Sequence, residues 1–146
     1  MDLEENILLK FKSIDRKIKH KIDEKLSNVI LGFSKMKGYL IDYLYKQERS
    51  KIEVNQRDVE KHFKITKATA SEILKAMEQN KLITRNVSLK DNRFKVIRLT
   101  ELGHEQHLKI DKELKSIEEK MLSSLNAQEI GLLGNLLKKI ETGLEE

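Results

Sequence analysis

The sequence contains no cysteine, no proline and no tryptophan, and aromatic residues make up only 5% of it. Without cysteine there is no disulfide framework, no thiolate metal site and no thiol redox sensor. Without proline nothing forces a break inside a helix. No stretch approaches the roughly 18 uncharged apolar residues that a membrane span requires. The opening Met1-Asp2-Leu3-Glu4-Glu5 is acidic and lacks the basic-then-apolar order of a signal peptide. A cytoplasmic protein with no membrane partner is expected. Enzyme signatures are missing as well: there is no glycine-rich phosphate loop, no nucleophile elbow, and no Ser or Asp arranged around the four histidines. No enzyme activity, no cofactor and no resident metal are expected.

What is present is mostly Leu, Ile, Lys and Glu, with charged residues at 36%, the mixture of long amphipathic helices. A chain of 146 residues suffices for one domain with a real core and is too short for two independent ones. The net charge of +5 is uneven: residues 1–54 carry +3, residues 55–99 carry +6 and residues 100–146 carry −4. A basic middle between a balanced arm and an acidic arm suggests a polyanion-binding module set among other elements. Lysine on solvated helix faces is the plainer explanation of the same charge.

Ile7, Phe11, Ile14, Ile18, Ile22, Leu26, Val29 and Ile30 recur at spacings of three and four, predicting one long amphipathic helix. Gly32 and Ser34 mark a break. A second helix follows through Met36, Leu40, Ile41 and Leu44 and fades over Gln47 to Ser50, and Lys51–Val54 reads as a very short strand. Asn55 is an N-cap with Asp58 three residues on, opening a short helix that ends near Lys64. Thr66 caps the next helix, with Ala70, Ile73, Leu74 and Met77 as its apolar positions. Two short helices across a tight turn form a helix-turn-helix.

After Asn80-Lys81 the period changes to two. Leu82–Val87 and Lys95–Leu99 read as strands joined by Leu89-Lys90-Asp91-Asn92-Arg93, a β-hairpin wing. Thr100 caps a helix running through His107, Ile110, Leu114, Ile117, Met121 and Leu125. Asn126 with Glu129 opens a last helix bearing Ile130, Leu133, Leu137, Ile140 and Leu144. The fold class expected is mainly α, an α+β winged helix. It is a single domain over 1–146, with helical arms at 1–30 and 101–146 around a winged helix-turn-helix lobe at 51–100.

Val54–Gly103 resembles the MarR family of winged helix-turn-helix transcriptional regulators. The matching pieces are Val54-Asn55-Gln56-Arg57-Asp58-Val59, Ile65-Thr66-Lys67-Ala68-Thr69-Ala70-Ser71 and Leu82-Ile83-Thr84-Arg85. The most specific is Asp91-Asn92-Arg93-Phe94-Lys95-Val96-Ile97-Arg98-Leu99-Thr100-Glu101-Leu102-Gly103. The chain departs from the family where Glu72 replaces a frequent Arg on the recognition helix and where Lys81 replaces a frequent Gly at the helix exit. Asn80 is expected to supply the left-handed residue there.

The resemblance implies a homodimeric repressor of double-stranded DNA with a pseudo-palindromic operator, its outer helices interlocking with those of a second copy. The apolar stripes at 7–30, 110–125 and 130–144 exceed what a small winged domain has to cover. The helix-turn-helix reading places Thr66, Lys67, Ala68, Thr69, Ser71, Glu72 and Lys75 toward the major groove. Arg93 at the wing tip, paired with Asp91, suits a narrow minor groove. Arg85, Lys90, Lys95 and Arg98 are expected on phosphates or on the hairpin's outer face.

The family commonly takes small aromatic or phenolic acids between its dimer arms and its DNA-binding lobe. Phe33, Met36, Tyr39 and Tyr43 are the residues that would line such an effector pocket. His104 and His107, three apart on a helix, are read as solvated or capping side chains, with a metal-responsive regulator as a further hypothesis. A competing reading of the whole chain, favoured by Glu72, is a winged-helix protein-interaction or anti-repressor module without specific DNA readout.

Overall fold

The computed structural model describes residues 6–29 and 34–145. The elements run α1 (Ile7–Val29), α2 (Lys35–Arg49), α3 (Gln56–Phe63), α4 (Lys67–Gln79), β1 (Ile83–Val87), β2 (Lys95–Leu99), α5 (Glu101–Met121) and α6 (Ala127–Leu144). The described residues are mostly helical with one two-stranded antiparallel sheet among them, as expected for a winged helix. No helix among the described residues is long and apolar enough to cross a membrane. Ile30 and Phe33 lie outside the described residues.

Two compact units divide the chain, Asp23–Lys112 and Met1–Ile22 with Glu113–Glu146. The first holds nearly all of the core: Leu26, Leu40, Ile41 and Leu44, then Val54, Val59, Ala70, Leu74 and Met77, then Leu82, Ile83, Val96, Ile97, Leu99 and Ile110. Helices α3 and α4 pack on each other and on the sheet through these side chains, because their apolar residues recur every three or four positions. In the other unit Ile117 is buried, whereas α6 buries nothing. The α6 residues Ile130, Leu132, Leu133, Leu136, Leu137, Ile140 and Leu144 are exposed, as are Ile7, Leu8, Leu9, Phe11 and Ile14 of α1.

The helix starts follow the sequence closely. Asn55 and Asp58 form a reciprocal capping box (3.1 and 2.9 Å), as do Asn126 and Glu129 (2.9 and 3.0 Å). Ser34 and Thr66 accept from the backbone N–H three residues on.

Helix ends depart from the sequence reading. Lys51, Lys64 and Lys81 have φ of 58°, 53° and 62° and are left-handed, each just past α2, α3 or α4. After α2, Lys51 N–H donates to the Glu48 carbonyl and Ile52 N–H to Gln47. After α4, Lys81 N–H donates to Glu78 and Leu82 N–H to Met77. Both are Schellman closures with lysine where glycine is usual. Asn80 has φ −81° and is not the left-handed residue; Lys81 is. The strand expected at Lys51–Val54 is likewise absent, because the closure occupies Lys51 and Ile52. Only Val54 pairs, as an isolated bridge to Ile97. Helix α5 stops at Met121, so Leu125 lies in the turn before α6 and not on the α5 stripe.

The wing pairs Ile83 with Leu99 through Val87 with Lys95. At its base Thr100 N–H donates to the Leu82 carbonyl (3.0 Å), the Thr100 hydroxyl donates to the Lys81 carbonyl, and Gly103 N–H donates back to that hydroxyl (3.0 Å). A Cβ on Gly103 would collide with the Leu82 carbonyl oxygen and press on Leu99 Cδ2 at 3.0 Å. This explains the Leu-Thr-x-x-Gly spacing: the first turn of α5 sits directly against the backbone at the start of the wing.

Opposite signs are therefore expected for two substitutions in urea unfolding. Gly103→Ala should destabilise by about 1–3 kcal/mol through overpacking. Lys81→Gly should stabilise by about 1 kcal/mol through release of left-handed strain. A neutral Gly103→Ala would mean that α5 can move off the wing.

Candidate nucleic-acid interface

Two faces of α4 follow from its sequence. Ala70, Leu74 and Met77 are buried, while Thr66, Lys67, Ala68, Thr69, Ser71, Glu72 and Lys75 are all exposed. The seven residues predicted for the major groove thus share the solvent-facing side and its N-terminal end. Thr66 Oγ1 accepts from Thr69 N–H (3.1 Å) and donates to Thr69 Oγ1 (2.9 Å), so the cap and the first turn are tied together. From α3, Gln56 Nε2 donates to the Lys67 carbonyl at 3.4 Å, spanning the helix-turn-helix corner. Glu72 has no hydrogen-bond or ion-pair partner among the described residues and carries its charge to solvent, between Lys67 and Lys75 in sequence.

The wing cations fall into different states. Arg93 extends with its side chain 79% exposed, yet it is tethered. Its Nε donates to Asp91 Oδ1 (3.0 Å), its Nη2 to Oδ2 (2.8 Å) and its backbone N–H to Oδ1 (3.1 Å). The bidentate bond from the guanidinium, then the bond from the Arg93 N–H, hold the Asp91 carboxyl below its ordinary range, and the same pair raises Arg93. The Arg93 guanidinium also lies 5.7 Å from the Phe94 ring centre. Two of its five donors point inward and the rest are free to reach a groove.

Arg85 is engaged differently. Its Nε donates to Glu78 Oε2 at 2.8 Å, bracing β1 against α4 and lowering the Glu78 carboxyl. Arg98 lies 3.6 Å from Glu53 Oε1. Lys90 and Lys95 are exposed.

The Ser88 hydroxyl, 7% exposed, was not singled out by the sequence reading. It accepts from Lys90 N–H (3.1 Å) and Asp91 N–H (3.3 Å) and donates to Glu53 Oε2 (3.0 Å). The local half of this turn was legible as Ser88-x-x-Asp91. Glu53, 35 residues away, was not.

The residues expected to line an effector pocket spread along α2. Met36 is half-buried and Tyr39 is exposed. Tyr43 stacks on His62 at 4.1 Å and meets Phe63 edge-on at 5.5 Å. Burial, then the charge of Asp58, pushes the Tyr43 hydroxyl up. A cavity of about 260 Å³ lies elsewhere, lined by Leu44, Ile52, Val54 and Leu99 with Lys51 and Lys90 among its polar members.

The reading of both histidines as solvated or capping side chains is corrected for His107, whereas the side chain of His104 is partly exposed and meets a backbone carbonyl at the start of α5. His107 is 8% exposed, stacked on Tyr45 at 3.8 Å, with Nε2 3.6 Å from Asp42. His104 has one ring nitrogen at the Thr100 carbonyl (3.0 Å) and the other at Glu48 (2.6 Å). Both histidines face α2, whose partners are too distant in sequence to be read from spacing. Among the described residues no group of three or more His, Cys, Asp or Glu is placed to hold a metal ion.

Removing the tether has a defined acid-range consequence. A carboxyl lowered in the folded state contributes stability above its unfolded pKa and loses it as the pH falls through the folded value. Arg93→Ala, which keeps the backbone N–H, should therefore move the Asp91 titration upward toward the ordinary aspartate range in a carboxyl-detected NMR titration. An unmoved midpoint would mean that the pair does not persist in solution.

Comparison with known proteins places this arrangement. No family profile matches the chain. An uncharacterised helix-turn-helix transcriptional regulator of Bacillus subtilis, YdgJ, is 28% identical over 113 residues. That match covers 77% of this chain and 66% of YdgJ, just under two thirds of the relative's length. Among solved structures, MepR of Staphylococcus aureus, a transcription regulator of the multidrug efflux pump MepA, is similar with a TM-score of 0.82 and 26% identity, over 96% of this chain and 99% of that one. The MepR–DNA complex is similar with a TM-score of 0.73 and 28% identity, over 92% and 97%. MepR bound to ethidium bromide has a TM-score of 0.72 and 27% identity, over 99% and 100%.

Proposed function

We propose that this chain is a double-stranded-DNA-binding transcriptional regulator of MarR type that acts as a homodimeric repressor and is released by a small-molecule effector. One observation carries the DNA-binding part. The exposed α4 face from Thr66 to Lys75 and the projecting Arg93 wing belong to a chain similar along nearly its whole length to a regulator solved on DNA.

The N-terminal end of α4 enters the major groove, with Thr66, Lys67, Thr69 and Ser71 on phosphates and base edges. The exposed α4 N-terminus adds a favourable partial charge for a phosphate. Arg93 reaches the adjacent minor groove, where a planar, weakly hydrated cation is favoured. Lys90 and Lys95 contribute phosphate contacts, whereas Arg85, engaged by Glu78, serves to brace the wing. Glu72 selects against bases that present only acceptors and favours a cytosine amino group.

The apolar faces of α1 and α6 support the homodimer, since an exposed stripe of this extent calls for a covering surface. Two recognition helices then read half-sites about 10 bp or a multiple apart. The ethidium complex of MepR supports the effector arm, with Met36 and the aromatic Tyr39 and Tyr43 of α2 as its wall. Such a ligand acts by favouring one spacing of the two recognition helices over another.

The exposed Glu72 favours a second reading, a protein-interaction module without DNA readout. Salt-dependent binding separates the two. On the duplex that the protein selects from a random pool, the wild type should show a steep fall of log K with log salt, about −0.9 per phosphate contact. Arg93→Ala should weaken binding by about 1–3 kcal/mol. Weak, salt-insensitive binding with no selected duplex would favour the interaction module. In sedimentation velocity, Leu137→Asp should convert a dimer to monomers or insoluble protein; an intact dimer would remove α6 from the interface.

A further inference from the structure

We infer that Glu53 and Ser88 are positioning residues for duplex binding, a tether that sets the direction of the wing tip and hence of Arg93; this rests on the DNA-binding reading above. The connection can be followed atom by atom. The backbone on either side of Glu53 is anchored: Ile52 N–H donates to the Gln47 carbonyl at 2.9 Å, and the Val54 carbonyl accepts from Ile97 N–H at 2.7 Å. Oε2 of Glu53 accepts the Ser88 hydroxyl at 3.0 Å, and Oε1 lies 3.6 Å from Arg98 Nη2 of the same strand, β2. Ser88 then accepts from Lys90 N–H (3.1 Å) and Asp91 N–H (3.3 Å). Asp91 in turn holds Arg93 by three bonds.

A hydroxyl has one proton and two lone pairs, and all three of Ser88's are engaged. A simple hairpin turn needs only the two backbone bonds, which Ser88 makes locally. The carboxylate brought from the α2–α3 connection adds nothing to the turn itself. Its effect is to tie the turn to the body by a charge-assisted bond, in a residue only 7% exposed. The rest of the loop has no comparable packing: Leu89 beside it is 99% exposed. Without the carboxylate the loop keeps its own bonds, Phe94 N–H to the Asp91 carbonyl (3.2 Å) and the two to the Ser88 hydroxyl, but joins the strands only through the last rung, Val87 with Lys95, and the Ser88 N–H to Phe94 carbonyl bond (2.9 Å). Arg93 would then sweep a wider cone, and the ordering needed for groove entry would fall on the binding step.

The test combines a readout in the free protein with one on DNA. In ¹⁵N relaxation of the full chain without DNA, Ser88→Ala should lower the order parameters of the Asp91–Phe94 amides and of Arg93 Nε from about 0.85 toward 0.6. Glu53→Ala should do the same with the Ser88 turn bonds still available. Ser88→Thr, which keeps the hydroxyl, should restore the wild-type values. On the selected duplex, Ser88→Ala and Glu53→Ala should bind roughly five- to tenfold more weakly through the added ordering cost, with the salt slope unchanged because Arg93 still makes its contact. Unchanged order parameters in both alanine variants would overturn the tether whether or not the protein binds DNA. Raised mobility with unchanged affinity would overturn the positioning role. A wild type that binds no duplex would sink the DNA-binding reading and the positioning role with it, while the relaxation data would still decide the tether.

Discussion

The carbonyl oxygen of Leu82 is the point on which four elements converge. It accepts from Thr100 N–H, it lies where a side chain on Gly103 would stand, and it belongs to the residue that closes α4 before β1 begins. The Thr100 hydroxyl meanwhile links the Lys81 carbonyl to Gly103 N–H. The exit of the recognition helix, both wing strands and the entry of α5 are thereby referred to one short piece of backbone. A shift of α5 relative to this point would have to break these bonds or carry the base of the wing and the end of α4 with it. No long-range network has to be invoked for that much coupling.

How far the sequence could be read depended on how local each signal was. The helices were legible because their apolar residues recur at three and four, and the caps because Asn55, Thr66, Thr100 and Asn126 act on residues three positions away. The wing was legible from its change of period and its Asp91/Arg93 pair. Three left-handed lysines were not, since the usual marker is glycine and none stands at 51, 64 or 81. Each lysine is followed at once by an apolar residue, Ile52, Ile65 or Leu82, the type that often follows such closures, although only Leu82 of the three is buried. The missing strand at Lys51–Val54 has the same cause. The remaining gaps are pairings across distance, Glu53 with Ser88, Glu48 with His104 and Glu78 with Arg85, where the partner's type was visible and its position was not.

The electrostatics of the winged unit sort its cations by function. Arg85 and Arg98 face carboxylates and stiffen the hairpin; Lys90 and Lys95 remain available; Arg93 is exposed yet aimed by Asp91. A net charge of +6 over residues 55–99 therefore overstates the number of cations open to a polyanion. What the internal pairs provide instead is pre-organisation, which lowers the ordering cost when a groove is engaged. Asp91 weakens the long-range pull of Arg93 and sharpens its direction.

Helix α6 has 18 residues and buries none of them. A helix of that length is marginal in water by itself, and most helical stability in proteins comes from packing an apolar face. In the homodimer proposed above, where a second copy covers the stripe from Ile130 to Leu144, the folding of this arm would be governed by mass action. The apparent melting temperature of this arm should rise with protein concentration. In a cell, the number of copies would then set not only how many sites are occupied but how much of each molecule is fully formed.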